Sequence, residues 1–356
     1  MSYQRKNKRA ISLVIILLLS MLLLNTPVLA EEESPPYSIA GYSSDIVLNP
    51  DGSVYFNETI TYKLLQESVQ IVNPIPMGNS SKEEGVEVFL QLQNAASDES
   101  ETDKELQPVQ NYTFELADEN QDIYHITIPY EGKKQDEVTF VYRYKMLDTV
   151  FLYKDTAVFF WRYLFPDQVK DIQNIFIQIS MPGVTSVDDW RGYVRGAVYA
   201  KKELLEDGKF QLTVEKLQEN EYLESVLLLP LSLFPEGRKV IDNNAEEEIL
   251  SEMGEWEDQA LLARKKDELK YYSGWAVGII AMLISIGTGV LCQLKSKIGM
   301  NIWIIGATIL SLVAGILVLI ALKNYPAGIL AVISSVALIG YTGFNLYYPR
   351  NSRQSL

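Results

Sequence analysis

The sequence has one cysteine and one histidine among 356 residues, and each scarcity removes a class of chemistry. A lone cysteine cannot close a disulfide within the chain, and a zinc site built on cysteines is excluded with it. A lone histidine, His125, excludes metal centres assembled from several imidazoles. Acidic residues are missing from both ends: residues 1–30 carry four basic and no acidic side chains, and residues 273–356 carry five basic and no acidic ones. All 46 acidic residues therefore lie between Glu31 and Glu268, where the 22 basic residues leave a net charge of about −24. Such a surface repels phosphate backbones, so no nucleic-acid partner is expected. No metal or other cofactor is expected either.

The acid-free ends are apolar. Arg5, Lys6, Lys8 and Arg9 precede an apolar run from Ile11 to Leu24, and Pro27-Val28-Leu29-Ala30 then supplies small residues before Glu31. This is the pattern of an export signal over residues 1–30, with cleavage after Ala30; retention as an uncleaved anchor is the competing reading. Near the other end, residues 275–294, 298–322 and 326–348 are runs without Asp, Glu, Lys or Arg, each long enough to cross a hydrocarbon core of about 30 Å. Residues 273–348 are therefore expected to form three transmembrane helices. Lys295, Lys297, Arg350 and Arg353 put the first connection and the tail, 349–356, in the cytoplasm, and the acidic region outside. Arg264, Lys265, Lys266 and Lys270, just before the first run, argue the other way locally. Long exported segments respond little to such charges. Small residues recur every fourth position, as at Gly274 and Gly278, Ser285 and Gly289, and Ala307, Ser311 and Gly315, a spacing that lets helices approach closely. No ionisable side chain occupies the middle of a run, so a channel or transporter made by this chain alone is not expected.

Residues 31–240 read as a β domain. Short runs alternate apolar and polar residues between turn residues, as half-buried strands do. Asn49-Pro50-Asp51-Gly52 is a turn between two such runs, and in the second Val54, Phe56, Ile60, Tyr62 and Leu64 share one face. Nine or more strands without alternating helices predict a mainly β fold, an antiparallel β-sandwich exterior domain. Residues 94–107, rich in acids and poor in apolar anchors, read as a loop. Residues 241–272 read as a charged juxtamembrane helix, because Ile249, Met253, Trp256, Ala260 and Ala263 form one apolar stripe. It is expected to run into the first span as a stalk holding the β domain off the bilayer. The fold class is thus a β sandwich, a juxtamembrane helix and an α-helical three-span region.

The segments Asp45-Ile46-Val47-Leu48, Asp51-Gly52-Ser53-Val54 and Glu58-Thr59-Ile60, then Tyr142-Arg143-Tyr144, Phe160-Trp161-Arg162-Tyr163, Met181-Pro182-Gly183, Leu229-Pro230-Leu231 and Phe234-Pro235, stand in an order that resembles a family of predicted bacterial membrane proteins, domain of unknown function 2207. Glu255-Trp256 in a charged helix before a span is similar too. The resemblance covers about residues 37–292 and implies an exterior β domain followed by membrane helices. It carries no agreed activity and no catalytic residues. The present chain departs in its membrane part, where connections are tiny and no sizeable cytoplasmic segment follows.

Catalytic constellations are scarce. His125 alternates with Tyr124 and Ile126 on an expected strand, with no glycine-flanked serine elbow and no cysteine outside the apolar runs, so no triad is assembled. Asp188 with Asp189 and Glu83 with Glu84 have the residue types of a glycosidase, but adjacent pairs arise by chance among so many carboxylates. The aromatic cluster around Phe159, Trp161 and Tyr163 is the candidate ligand surface, with burial in the sandwich core as the competing reading. The expectation is a multi-pass cell-membrane protein, not an enzyme. Its extracytoplasmic β domain would bind or scaffold in the cell envelope, with the lipid bilayer and a protein or cell-wall polymer as partners and the oligomeric state open. An accessory subunit of a transport or secretion complex, or a carboxylate-dependent hydrolase, are the alternatives.

Overall fold

A computed structural model describes residues 35–76, 81–92, 105–118, 123–165, 172–184, 186, 188–218, 221–294, 309, 312–316, 318 and 325–347. The expected signal over residues 1–30 and most of the acidic loop lie outside the described residues. The strands in chain order are β1 (Tyr37–Leu48), β2 (Val54–Leu64), β3 (Ser68–Pro76), β4 (Ser81–Gln91), β5 (Leu106–Pro108), β6 (Thr113–Asp118), β7 (Ile123–Glu131), β8 (Glu137–Leu147), β9 (Val150–Leu152), β10 (Ala157–Leu164), β11 (Ile172–Ser180), β12 (Arg191–Arg195), β13 (Lys201–Leu205), β14 (Lys209–Leu217) and β15 (Leu223–Leu229). After a 3-10 turn at Leu231–Leu233, two α-helices are described, α1 (Glu246–Leu294) and α2 (Tyr325–Tyr347).

The first hairpin forms where the turn residues stand. Asn49 N–H donates to the Ser53 carbonyl at 2.9 Å, and Asp51 Oδ1 accepts from Ser53 N–H at 2.9 Å and from its hydroxyl at 2.6 Å. Gly52 closes the turn at φ 78°, a conformation costly for any residue with a Cβ. In β2 the alternation sends Val54, Phe56, Ile60, Tyr62 and Leu64 inward, as the pattern predicts, and Glu58 with them.

One layer is an eight-stranded sheet in the order β13-β14-β11-β1-β2-β8-β4-β5. The other holds two smaller sheets, β12-β15-β10-β9 and β3-β7-β6. A single apolar core joins all three, with Tyr42, Phe56, Tyr62 and Phe140 from the large sheet, Phe159 and Leu227 from the second, and Ile71 and Ile126 from the third. The fold is mainly β with antiparallel pairing, as expected, except that β1 and β11 pair in parallel. That exception arises because the chain passes into the opposite layer through β9 and β10 before returning at β11. Five strands escape the sequence pattern. β5 and β9 are three residues long and show no period; β12 and β13 bury no residue and so lack alternation. β3 contains Pro74 and Pro76, tolerated because β3 is an edge strand.

α1 is unbroken over 49 residues, about 73 Å at 1.5 Å per residue. α2 packs against its second half through small residues. A Cβ on Gly278 would stand 2.8 Å from the Ala327 carbonyl oxygen, and one on Gly315, in a helical segment at 312–316, would stand 3.1 Å from the Ala331 Cβ. Gly274 is buried as well. Ser285 and Gly289 fall on α1 outside the described side chains, and Ala307 and Ser311 lie outside the described residues. Counting only the described residues, no helix is long and apolar enough to cross a membrane, so the three-span region is not established by the fold.

Candidate functional site

Of the two readings of the aromatic cluster, ligand surface or sandwich core, the structure shows the core for Phe159, Trp161 and Tyr163. Phe159, Trp161 and Tyr163 are all buried, because the odd-numbered residues of β10 face the large sheet. Trp161 lies 4.4 Å, centroid to centroid, from Phe56, and the Tyr163 hydroxyl is 2.6 Å from the Ser225 hydroxyl. The alternation leaves Phe160, not these three, facing outward at 38% exposure. Tyr163 also borders a cavity. Asp188 and Asp189 are exposed, and the side chains of Glu83 and Glu84 are outside the description.

That cavity, of about 140 Å³, opens where the three sheets meet. Tyr37, Ile39, Ile60 and Tyr62 come from the large sheet, Val72, Asn73, Pro74 and His125 from the three-stranded sheet, and Tyr163 and Leu164 from β10. Behind Asn73 lies Glu58. Its cross-strand neighbours on the large sheet are Ser44 and Tyr142, and its carboxyl bridges the two layers. Tyr42 O–H donates to Oε1 at 2.7 Å, and Asn73 Nδ2 donates to Oε2 at 3.3 Å. Tyr144 faces the same group beyond ordinary hydrogen-bond length. Burial raises the Glu58 carboxyl above the usual range, and the Tyr42 and Asn73 hydrogen bonds pull it back. Burial first, and the Glu58 charge second, push the Tyr42 and Tyr144 hydroxyls well up, so both stay protonated donors. Desolvation lowers His125 below the usual imidazole value, which disfavours its charged form. Sequence reasoning passed over Glu58 and Asn73, although the period-two pattern already sets Glu58 between inward-facing Phe56 and Ile60. Among the described residues no group of three or more His, Cys, Asp or Glu could hold a metal ion.

A second polar cluster fixes α1 to the domain. Ile249, Met253 and Trp256 of the expected apolar stripe pack on Val158, Val226 and Leu228, on the outer face of the four-stranded sheet. The helix therefore lies along the domain for its first turns instead of standing clear of it as a stalk. Asp155, in the loop between β9 and β10, accepts from Ala245 N–H at 3.0 Å and Glu246 N–H at 3.2 Å, capping a helix some ninety residues away. These bonds hold its carboxyl below the usual range. Glu224, 1% exposed, pairs with Arg162 and lies 3.7 Å from Arg195, which reaches Glu252 of α1 at 3.5 Å and stands 4.8 Å over the Trp256 ring. Lys202 pairs with Glu257, the Tyr199 hydroxyl donates to Asp267 at 3.0 Å, and Arg264 donates to the Val198 and Ala200 carbonyls. Arg264, one of the basic residues that disturbed the charge-based orientation, is thus engaged with the β domain.

No curated protein matches the chain. Among solved structures it is similar to a candidate protease from Parabacteroides distasonis (11% identical, 55% of this chain and 41% of that one, TM-score 0.34). It is similar also to a candidate nutrient binding protein from Legionella pneumophila (15%, 54% and 67%, TM-score 0.34) and to yeast leukotriene A4 hydrolase in complex with bestatin (10%, 58% and 32%, TM-score 0.35). The chain spans less than half the length of the first and third of these. Likenesses this distant do not bear on activity. Residues 38–229, from the start of β1 to the end of β15, match the description "Predicted membrane protein (DUF2207) N-terminal domain". On that match over more than half of its length, the chain belongs to the DUF2207 family of predicted membrane proteins, as the order of its motifs implies.

Proposed function

We propose that the chain is a multi-pass cell-membrane protein whose β sandwich, residues 31–240, sits outside the cytoplasm and binds or scaffolds an envelope partner, without enzymatic activity. The observation that carries the membrane placement is the inverted polarity of the helical end. α1 and α2 meet at Gly278 and Ala327, and Ala281 and Ala331 are buried, while Ile280, Leu283, Ile286, Ile333 and Val336 face outward at 54–61% exposure. In water so large an apolar face calls for a partner or an aggregate; against lipid tails it costs nothing. The family description supports the same placement. On this reading the three spans are residues 275–294, 298–322 and 326–348, the tail at 349–356 is cytoplasmic, and the segment 1–30 is the export signal. The docked first half of α1 sets the sandwich at a defined orientation to the bilayer. The small-residue faces at Gly278 and Gly315 are occupied within the chain, which favours self-packing of the spans over an accessory-subunit role.

Protease accessibility tests the placement. Protease added to intact cells is expected to remove the sandwich, and inverted vesicles are expected to protect it. The opposite pattern overturns the reading.

A further inference from the structure

Among the described residues two carboxylates are fully buried, and their surroundings differ. Glu224 sits against two arginines, Arg162 and Arg195. Glu58, 4% exposed, has both oxygens accepting hydrogen bonds, from Tyr42 and from Asn73, an arrangement that suits the ionised form. Neither donor is a cation, and among the described residues no lysine or arginine pairs with Glu58. Ionising a carboxyl buried without a counter-charge is costly, which is why burial raises Glu58, and a cation in the cavity of about 140 Å³ one side chain away would offset that cost. Three tyrosines stand among the aliphatic side chains of that cavity's walls. Tyr37 and Tyr62 stand with their ring planes at 89° and centroids 5.3 Å apart, and Tyr163 adds a third ring. Aromatic rings around a small space attract cations through their quadrupoles, and quaternary ammonium groups are held this way. Desolvation disfavours the charged form of His125, the one base on the wall, and the net negative charge of the chain favours cations over anions.

We propose that this cavity binds a small organic ammonium ion the size of a choline head, ringed by Tyr37, Tyr62 and Tyr163 and balanced by Glu58 through Asn73. The inference rests on the reading of the sandwich as a binding domain and gives that reading a ligand class. Cavity size permits it: an engineered protein cavity of about 150 Å³ holds benzene.

The test uses the full chain in nanodiscs of phosphatidylglycerol, which carry no ammonium group, with choline as the titrant in calorimetry. The neutral isostere 3,3-dimethyl-1-butanol is the control for shape. Choline is expected to bind saturably and the isostere not to bind. Glu58→Gln and Tyr37→Leu are each expected to weaken choline by about tenfold or more, whereas Tyr37→Phe, which keeps the ring, retains the affinity. Near-UV circular dichroism of each variant separates lost binding from lost folding. The proposal is overturned if the isostere binds as tightly as choline, if choline fails to bind up to roughly 10 mM, or if folded Glu58→Gln binds as the natural chain does. Replacing half of the lipid by phosphatidylcholine distinguishes sources: competition with free choline supports a lipid headgroup as the natural occupant, and no competition supports a soluble amine. Failure of all ligand arms with the protease pattern intact removes the ligand class and leaves the membrane placement standing.

Discussion

The sandwich and the helical pair solve the same packing problem with opposite chemistry. In the sandwich, Phe56, Tyr62, Phe140 and Phe159 fill the interior, and the outward residues of β2 include Tyr55, Asn57, Thr59 and Lys63. In the helical pair, glycine and alanine fill the contact and isoleucine, leucine and valine face outward. The first arrangement follows from water, which drives large apolar groups together. The second depends on close backbone approach, the arrangement that suits helices in lipid and the one on which the proposed membrane placement rests. The two regions share one unbroken helix, so the pattern of burial changes along α1: Met253 is buried against a sheet, whereas Leu283 is 57% exposed.

Substitutions break or sharpen this contrast. Phe56→Ala removes a fully buried ring that stacks 4.8 Å from Tyr144 and lies 4.4 Å from Trp161; it is expected to cost about 3–5 kcal/mol in denaturant unfolding of the β region. Leu283→Asp is expected to cost roughly 2.5–3.5 kcal/mol of membrane insertion, read as a loss from the membrane fraction. In a water-facing helix the same change would be neutral or improve solubility, which would erase the contrast. Arg195→Ala is expected to cost about 1–3 kcal/mol, because it strips Glu224 of one of its two arginines and α1 of its tie through Glu252. Faster amide exchange at the start of α1 would locate that loss at the docking face.

The smallest expected effect concerns pH. Burial raises Glu58 in the folded chain above its unfolded value, so its favourable contribution is full below the unfolded pKa and falls as pH rises through the folded one. Asp155 has the opposite sign: its carboxyl is lowered by the caps it accepts, so its contribution is present above the unfolded pKa and lost as pH falls through the folded value. The Tm difference between the natural chain and Glu58→Gln should therefore shrink on going from acid to neutral pH. The corresponding difference for Asp155→Ala should grow. Parallel curves for the two variants would contradict these assignments.

Much of the candidate site was in reach of the sequence without being read from it. Glu58 sits at an inward position by simple alternation, and only its polarity concealed it. Asn73 was harder to reach, because Pro74 and Pro76 argue against a strand even though Val69, Ile71, Asn73 and Ile75 alternate inward. Phe159, Trp161 and Tyr163 show the reverse difficulty: an aromatic run fits a ligand surface and a core equally well until the facing sheet decides which parity points inward.

The sequence by itself determined the features that depend on near neighbours: the Asn49–Gly52 turn, the alternating faces of β2, β8, β11 and β14, the apolar stripe at Ile249, Met253 and Trp256, and the motif order that marks the family. Only the tertiary structure decided the parallel pairing of β1 with β11, the cavity at the three-sheet junction, the capping of α1 by Asp155 and the grip of Arg195 on Glu252. Each of these joins segments far apart in the chain. Local propensity carries no information about which distant partner will fill a face, satisfy a helix end or balance a buried charge, and that choice is made when the layers pack.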